Sequence, residues 1–330
     1  MATSTTTPNS SAELPPVSTL EGFLCGGLAA VTAVTFSNIP EVCKTRLQLQ
    51  GELGKMTEKV YSSVFDVARK TWKNEGIRGL QRGLGTAYGY QVLLNGSRLG
   101  FYEPIRRSAM KLVGKSPDDQ NFAVAVAAGA GSGCIGASLG NPLYLVKARM
   151  QAYSPFLPVG AQHNYKSSFD AFRQIHKAEG FRGMFRGIDA AILRTGMGSS
   201  VQLPSYFFAK NLLTENGLTS PTSFWTYLLS SSFSGICVCI VMQPADTVLT
   251  RMYNQPTEVL PNGRSKGLLY KSPIDCMIQT TKSEGFFGLY KGSTAHFLRI
   301  APHTVITLVA NELIVNQYQQ YKARHAAVEV

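Results

Sequence analysis

Charged side chains are spread unevenly along this chain, and the gaps between them set the first expectation. Gly22–Pro40, Asn121–Val146 and Asn216–Ala245 contain no Asp, Glu, Lys or Arg. Each meets or nearly meets the roughly 20 residues that a helix needs to cross the apolar core of a bilayer. Three shorter charge-free runs alternate with them: Gly83–Ser97, Thr195–Ala209 and Ile300–Asn311. Arg98, Arg194 and Arg299 bound these shorter runs, and a helix facing only lipid could not hold such charges cheaply. The shorter three are therefore expected to line a wet cavity. The pattern predicts an all-α membrane protein with six spanning helices, three cleanly apolar and three polar on one face.

Composition agrees. Of 330 residues, 44% are hydrophobic and 16% charged, against about 25% charged in a soluble domain. Too few ionic groups remain to cover two water-facing globules. The net charge of +12 points to an anionic partner. No nucleic-acid motif or aromatic interleaving accompanies the basic residues, so they are assigned to loops and no nucleic acid is expected. The six cysteines have no metal-ligand spacing and read as packing residues, with no metal expected. Residues 1–19, rich in Ser, Thr and Pro, read as a disordered tail. No Lys or Arg precedes Lys44, so neither a secretory signal nor an Arg-rich presequence is present and any organelle address is internal.

The strongest signal is a repeat of about 103 residues. Lys44-Thr-Arg-Leu-Gln48, Lys147-Ala-Arg-Met-Gln151 and Leu249-Thr-Arg-Met-Tyr253 form one series. Glu75-Gly-Ile-Arg-Gly-Leu-Gln-Arg-Gly83, Glu179-Gly-Phe-Arg-Gly-Met-Phe-Arg-Gly187 and Glu284-Gly-Phe-Phe-Gly-Leu-Tyr-Lys-Gly292 form another. Each unit holds two spans, so successive units enter the membrane in the same orientation. Three such units related by rotation about the membrane normal predict a six-helix barrel around a central cavity. The loops Gln50–Arg82, Gln151–Arg186 and Asn254–Lys291 carry 7, 5 and 5 basic residues, which suggests an anionic leaflet on that side. Each has room for a short amphipathic helix, for example around Tyr61–Asn74.

These motifs resemble those of the mitochondrial carrier family, over about Leu20–Gln320. That family repeats P-x-[DE]-x-x-[KR] at the matrix end of each odd spanning helix, then an acidic-Gly loop helix, and [FY]-[DE]-x-x-[RK] on the even helices. The resemblance implies an inner-membrane barrel of three tandem two-helix repeats (20–115, 119–217 and 221–320), short matrix-side helices and a C-terminal tail over 321–330. It also implies a transporter working as a monomer, not an enzyme, with no cofactor and with anionic lipid, cardiolipin above all, as a membrane partner.

In the family, each acid of the first motif pairs with the base of the next repeat. Here the positions are Glu41 and Lys44, Tyr144 and Lys147, and Asp246 and Leu249. The expected matrix gate is therefore Glu41–Lys147, Asp246–Lys44 and a neutral Tyr144–Leu249 contact, with Gln48 and Gln151 one turn beyond. Ile39 stands where the family has its first proline, and Pro40 follows one residue later. On the even helices the positions are Glu103 and Arg106, Phe207 and Lys210, and Glu312 and Val315. The expected cytoplasmic gate is Glu103–Lys210, Glu312–Arg106 and an apolar Phe207–Val315 contact. Both gates lose an acid and its partner base together, so no charge is orphaned.

Thirteen residues before Glu103, Phe207 and Glu312 lie Tyr90, Arg194 and Arg299, roughly 20 Å along the helix at about 1.5 Å per residue. The family binds its substrates at this level. Tyr90, Gln91, Arg98, Arg194, Thr195 and Arg299 are the expected substrate residues, the arginines offering a planar fork for carboxylates. Spacing supports only a small anion. Arg98–Arg106, Asn141–Gln151 and Asp246–Pro256 are further similar to the oxaloacetate-carrying branch of the family. That likeness implies oxaloacetate as substrate, with sulfate, malonate or isopropylmalate as alternatives. A dicarboxylate or phosphate exchanger of the same family is the nearest rival reading, and a carrier-fold interaction protein that no longer transports is another.

Two motifs are decoys. Gly131-Ser-Gly-Cys-Ile-Gly136 matches a dinucleotide fingerprint, but no Asp or Glu occurs between Asp119 and Asp170, where the ribose-binding acid is needed. Its glycines are expected to allow close helix packing. Gly136-Ala-Ser138-Leu-Gly140 fits a nucleophile elbow without its strand–turn–helix setting. His163, His176, His296 and His303 stand isolated in the sequence.

Overall fold

The computed structural model describes residues 18–54, 59–114, 116, 121–220, 223–259 and 265–326. Residues 1–17 of the expected tail lie outside it. Six long helices carry the fold: α1 (Thr19–Leu49), α3 (Leu84–Leu112), α4 (Phe122–Ala152), α6 (Ile188–Glu215), α7 (Phe224–Asn254) and α9 (Ser293–Ala326). Three shorter helices, α2 (Val64–Leu80), α5 (Ser168–Gly183) and α8 (Pro273–Glu284), lie between the members of each pair. Around the ring α1 packs on α3, α3 on α4, α4 on α6, α6 on α7, α7 on α9 and α9 back on α1. The barrel thus closes with the three-repeat order that the sequence period predicts.

Local chemistry repeats with the architecture. Ser63, Ser167 and Ser272 cap α2, α5 and α8, each accepting from the backbone N–H of an aspartate three residues on: Asp66, Asp170 and Asp275. The cap satisfies a free helix N–H, and the first-turn acid complements the helix dipole. Gly83, Gly187 and Gly292 sit at φ 72°, 69° and 82° at the start of the even helices. A Cβ there would come within 3.2 Å of Lys147 O, 2.8 Å of the Tyr253 ring and 3.2 Å of Lys44 O respectively. The last glycine of the loop motif therefore both turns the chain and admits the next repeat's helix. Gly136 serves packing too, since its Cβ would lie 3.1 Å from Leu94 O on α3.

Two details depart from expectation. A hairpin of β1 (Thr257–Val259) and β2 (Ser265–Gly267), paired antiparallel, sits in the third loop of the otherwise helical chain. α9 runs on to Ala326, into the stretch expected as tail; residues 327–330 lie outside the described ones. Among the described residues, α4, α7 and the stretch Phe286–Arg324 are the helical segments long and apolar enough to cross a membrane by composition.

Candidate functional site

The ends of α1, α4 and α7 converge on the side of the loop helices, and their polar residues are buried there rather than solvated. Lys44 Nζ donates to Asp246 Oδ2 at 2.7 Å. Lys147 Nζ lies 2.7 Å from Glu41 Oε1. Burial makes such pairs costly to break, because the surviving charge has no water to turn to. Gln48 Nε2 donates to Asp246 Oδ2 at 2.8 Å, and Thr250 Oγ1 donates to Gln48 Oε1 at 2.8 Å. Gln151 does not brace the other pair: its Nε2 donates to Asn38 Oδ1 at 3.0 Å and its Oε1 accepts from Thr45. Tyr253, at the register of those glutamines, donates to Asn141 Oδ1 at 2.5 Å. Tyr144 and Leu249 are both buried in one apolar cluster. The Tyr144 ring lies 4.8 Å from that of Tyr90 and 5.6 Å from that of Tyr253, so aromatic packing fills the place of a third odd-helix ion pair.

Above this layer lies a cavity of about 560 Å³, within the range of small-molecule sites. Tyr90, Gln91, Arg194, Thr195 and Arg299 all line it, together with Glu41, Lys147 and His303. Arg299 Nε is buried and unpartnered among the described residues. Arg194 is engaged instead: its Nε donates to Asp246 Oδ1 at 2.7 Å, and its guanidinium sits 5.7 Å from the Tyr144 ring centroid. The Arg98 side chain lies outside the described ones.

At the opposite end neither expected cross-helix ion pair, Glu103–Lys210 or Glu312–Arg106, is formed among the described residues. Glu103 pairs with Arg106 at 3.2 Å and Arg107 at 3.5 Å on its own helix. Lys210 Nζ lies over the Tyr227 ring at 5.3 Å, and Phe207 packs against Phe122 at 5.6 Å. Glu312 is exposed and forms no ion pair among the described residues. Glu103, Arg106 and Lys210 thus find partners on their own or an adjacent helix.

Several site residues escape a reading along the chain. Arg46, Arg149 and Arg251, the third members of the first repeated motif, reach Glu75, Glu179 and Glu284 of the second at 2.7, 2.9 and 2.7 Å. The two motifs recur together because they clamp each loop helix to its odd helix. Burial would raise the Glu75 carboxyl, but hydrogen bonds and charge from Arg46 outweigh it and hold the group below its ordinary range. His303 is not isolated: its Nδ1 lies 3.1 Å from Ser37 Oγ across the cavity wall. Nor is His296, fully buried with Nδ1 2.6 Å from Gln243 Oε1. His163, in the loop after α4, sits 3.2 Å from Asn254 O, and burial with Arg149 nearby pushes its imidazole down to about 4.

Comparison with known sequences fits this geometry. The profile described as "Mitochondrial carrier protein" matches residues 15–112, 118–217 and 220–322. A mitochondrial oxaloacetate transport protein of Schizosaccharomyces pombe is 53% identical over 298 residues, 90% of this chain and 89% of that one. Mitochondrial citrate transporter E of Aspergillus niger is 50% identical over 292 residues, covering 88% and 91%. A mitochondrial oxaloacetate transport protein of Saccharomyces cerevisiae is 49% identical over 301 residues, covering 90% and 89%.

Proposed function

Because the chain belongs to the mitochondrial carrier family, and is thus a multi-pass transporter of the inner membrane, we propose that it carries small dicarboxylate-sized anions by alternating access, oxaloacetate first among them. The observation that carries this reading is Arg299, a cavity-lining cation whose buried Nε has no hydrogen-bond partner among the described residues, with Arg194 at the same helical depth. Two carboxylates of one small di-anion would satisfy one arginine each. Tyr90, Gln91 and Thr195 shape the space between, and Arg98, two turns above Gln91 on α3, meets the anion on entry. Sulfate, malonate and isopropylmalate are further candidates on the same charge argument. The paired layer of Glu41–Lys147 and Lys44–Asp246 acts as the closed matrix gate, and Glu103, Arg106, Lys210 and Glu312 form their cross-helix pairs when the cytoplasmic end shuts. The working unit is one chain of three repeats, with cardiolipin-type lipid against the basic matrix loops.

The relative that transports citrate favours a second reading, a tricarboxylate. The charge inventory favours the smaller anion: of the three described cations that line the cavity, Lys147 is held by Glu41 in the lower layer, which leaves Arg299 and the terminal nitrogens of Arg194 to face an anion. The test is Arg299→Gln in reconstituted vesicles. Truncating one partner of a desolvated charged contact costs about 2–5 kcal/mol, so di-anion uptake should nearly vanish while the purified variant still unfolds cooperatively. Unchanged uptake would overturn the assignment.

A further inference from the structure

The lower layer lacks one odd-helix ion pair, since Tyr144 and Leu249 are neutral, yet the buried Asp246 carries two cations. Its Oδ2 accepts from Lys44 and Gln48, and its Oδ1 accepts from Arg194 at 2.7 Å. Asp246 is fully buried and is absent from the cavity wall, whereas Arg194 lines that wall with 15% of its side chain exposed. Arg194 comes from α6 and reaches across to α7 beside the Tyr144 ring, where the neutral contact leaves room. It uses Nε for Asp246, and its two terminal nitrogens make no hydrogen bond among the described residues. The residues at its register in the other repeats do nothing comparable: Tyr90 is uncharged, and Arg299 forms no ion pair among the described residues.

We propose that Arg194 is the third bond of the gate as well as an anion-binding residue, so that an anion in the cavity competes with Asp246 for one guanidinium and loosens the gate as it binds. This rests on the reading of the cavity as an anion site. An anion on the outer fork of Arg194 draws on the same positive charge that holds α6 to α7 through Oδ1. Asp246 keeps Lys44 and Gln48, so the carboxylate is never stranded. The gate loses one of its three ion pairs only when the cavity is occupied, which ties opening to loading. An empty carrier keeps all three and stays shut.

The test has two arms, both on the purified full chain. In the first, thermal unfolding without anion compares Arg194→Gln, Asp246→Asn, the double variant and Arg299→Gln. Arg194→Gln should lower Tm, and should lower it by less than half as much in the Asp246→Asn background. Arg299→Gln, which removes a cation that forms no ion pair among the described residues, should lower Tm by less than Arg194→Gln, and to the same extent with or without Asp246→Asn. In the second arm, labelled oxaloacetate is the probe in equilibrium binding. Asp246→Asn, though buried away from the cavity, should tighten binding by at least about five-fold, the lower range of ordinary coupling between sites. That gain should vanish in the Arg194→Gln background. Additive Tm effects, or weakened or unchanged binding in Asp246→Asn, would overturn the proposal. Failure of the wild-type protein to bind oxaloacetate would count against the substrate reading, while the anion-free cycle decides the Arg194–Asp246 tie by itself.

Discussion

Replacing Glu41 by Gln removes the carboxylate from a pair whose two members are both buried and 2.7 Å apart. At that distance and an effective dielectric of about 20, the attraction is about 6 kcal/mol before desolvation is subtracted. What a single substitution exposes is the stranded Lys147 ammonium, and breaking one side of a buried pair costs about 3–5 kcal/mol. With an unfolding entropy of about 2.1 cal/mol/K per residue, that converts to a Tm lowered by about 4–7 °C for a chain of this length. Lys147→Met should do comparable damage by stranding Glu41. The double variant leaves no charge behind and should recover more than half of the loss, since a buried pair replaced on both sides is often neutral in stability. Thermal unfolding of the four proteins in detergent, at fixed ionic strength, reads this directly. A single variant within 1 °C of wild type, about 0.7 kcal/mol by the same conversion, would refute the reasoning. So would a double variant as unstable as the sum of its parts.

The same logic extends to neighbouring residues. Gln91→Ala should reorder the ranking of competing anions more than it changes the maximal rate, and a proportional fall for every anion in uptake assays would remove Gln91 from the selectivity role. Tyr144→Asp and Leu249→Lys should each harm stability, and together they should show a coupling of about 0.5–3 kcal/mol. Recovery in that double variant stays incomplete because the ring 4.8 Å from Tyr90 is gone; strictly additive losses in a melting cycle would show that the two positions do not face each other. His163 is held at about 4 by burial and Arg149, below the ordinary value near 6.5. Unfolded chains therefore take up a proton that the folded one refuses, and stability falls as pH drops from about 6.5 toward 4. His163→Gln should show a smaller Tm fall than wild type between pH 7 and pH 5, and identical slopes would contradict the attribution.

Much of this arrangement is legible in the sequence because the barrel has three-fold repetition. Glu41 and Lys44 share a helix face by spacing alone, and the pairing order that the family resemblance implies then names partners more than a hundred residues away; those two ion pairs do form. The Arg194–Asp246 contact is not legible in this way. It depends on how α6 is rotated against α7, which a motif confined to one helix does not record. His303 and His296 look isolated for a related reason, since their partners Ser37 and Gln243 lie 266 and 53 residues away. At the upper end the chain offers a competing local partner: Glu103 pairs with Arg106 three residues on, a contact that helix spacing also allows. The clamping role of Arg46, Arg149 and Arg251 is visible in principle, because the same arginine recurs in all three copies while the residue two before it does not.

Uptake of labelled oxaloacetate into liposomes reconstituted with the purified chain tests the central claim most directly, with malonate, sulfate and citrate as competitors. The account predicts saturable uptake, competed strongly by malonate and sulfate and weakly by citrate. Absence of saturable uptake, or transport of citrate in preference to oxaloacetate, would contradict it.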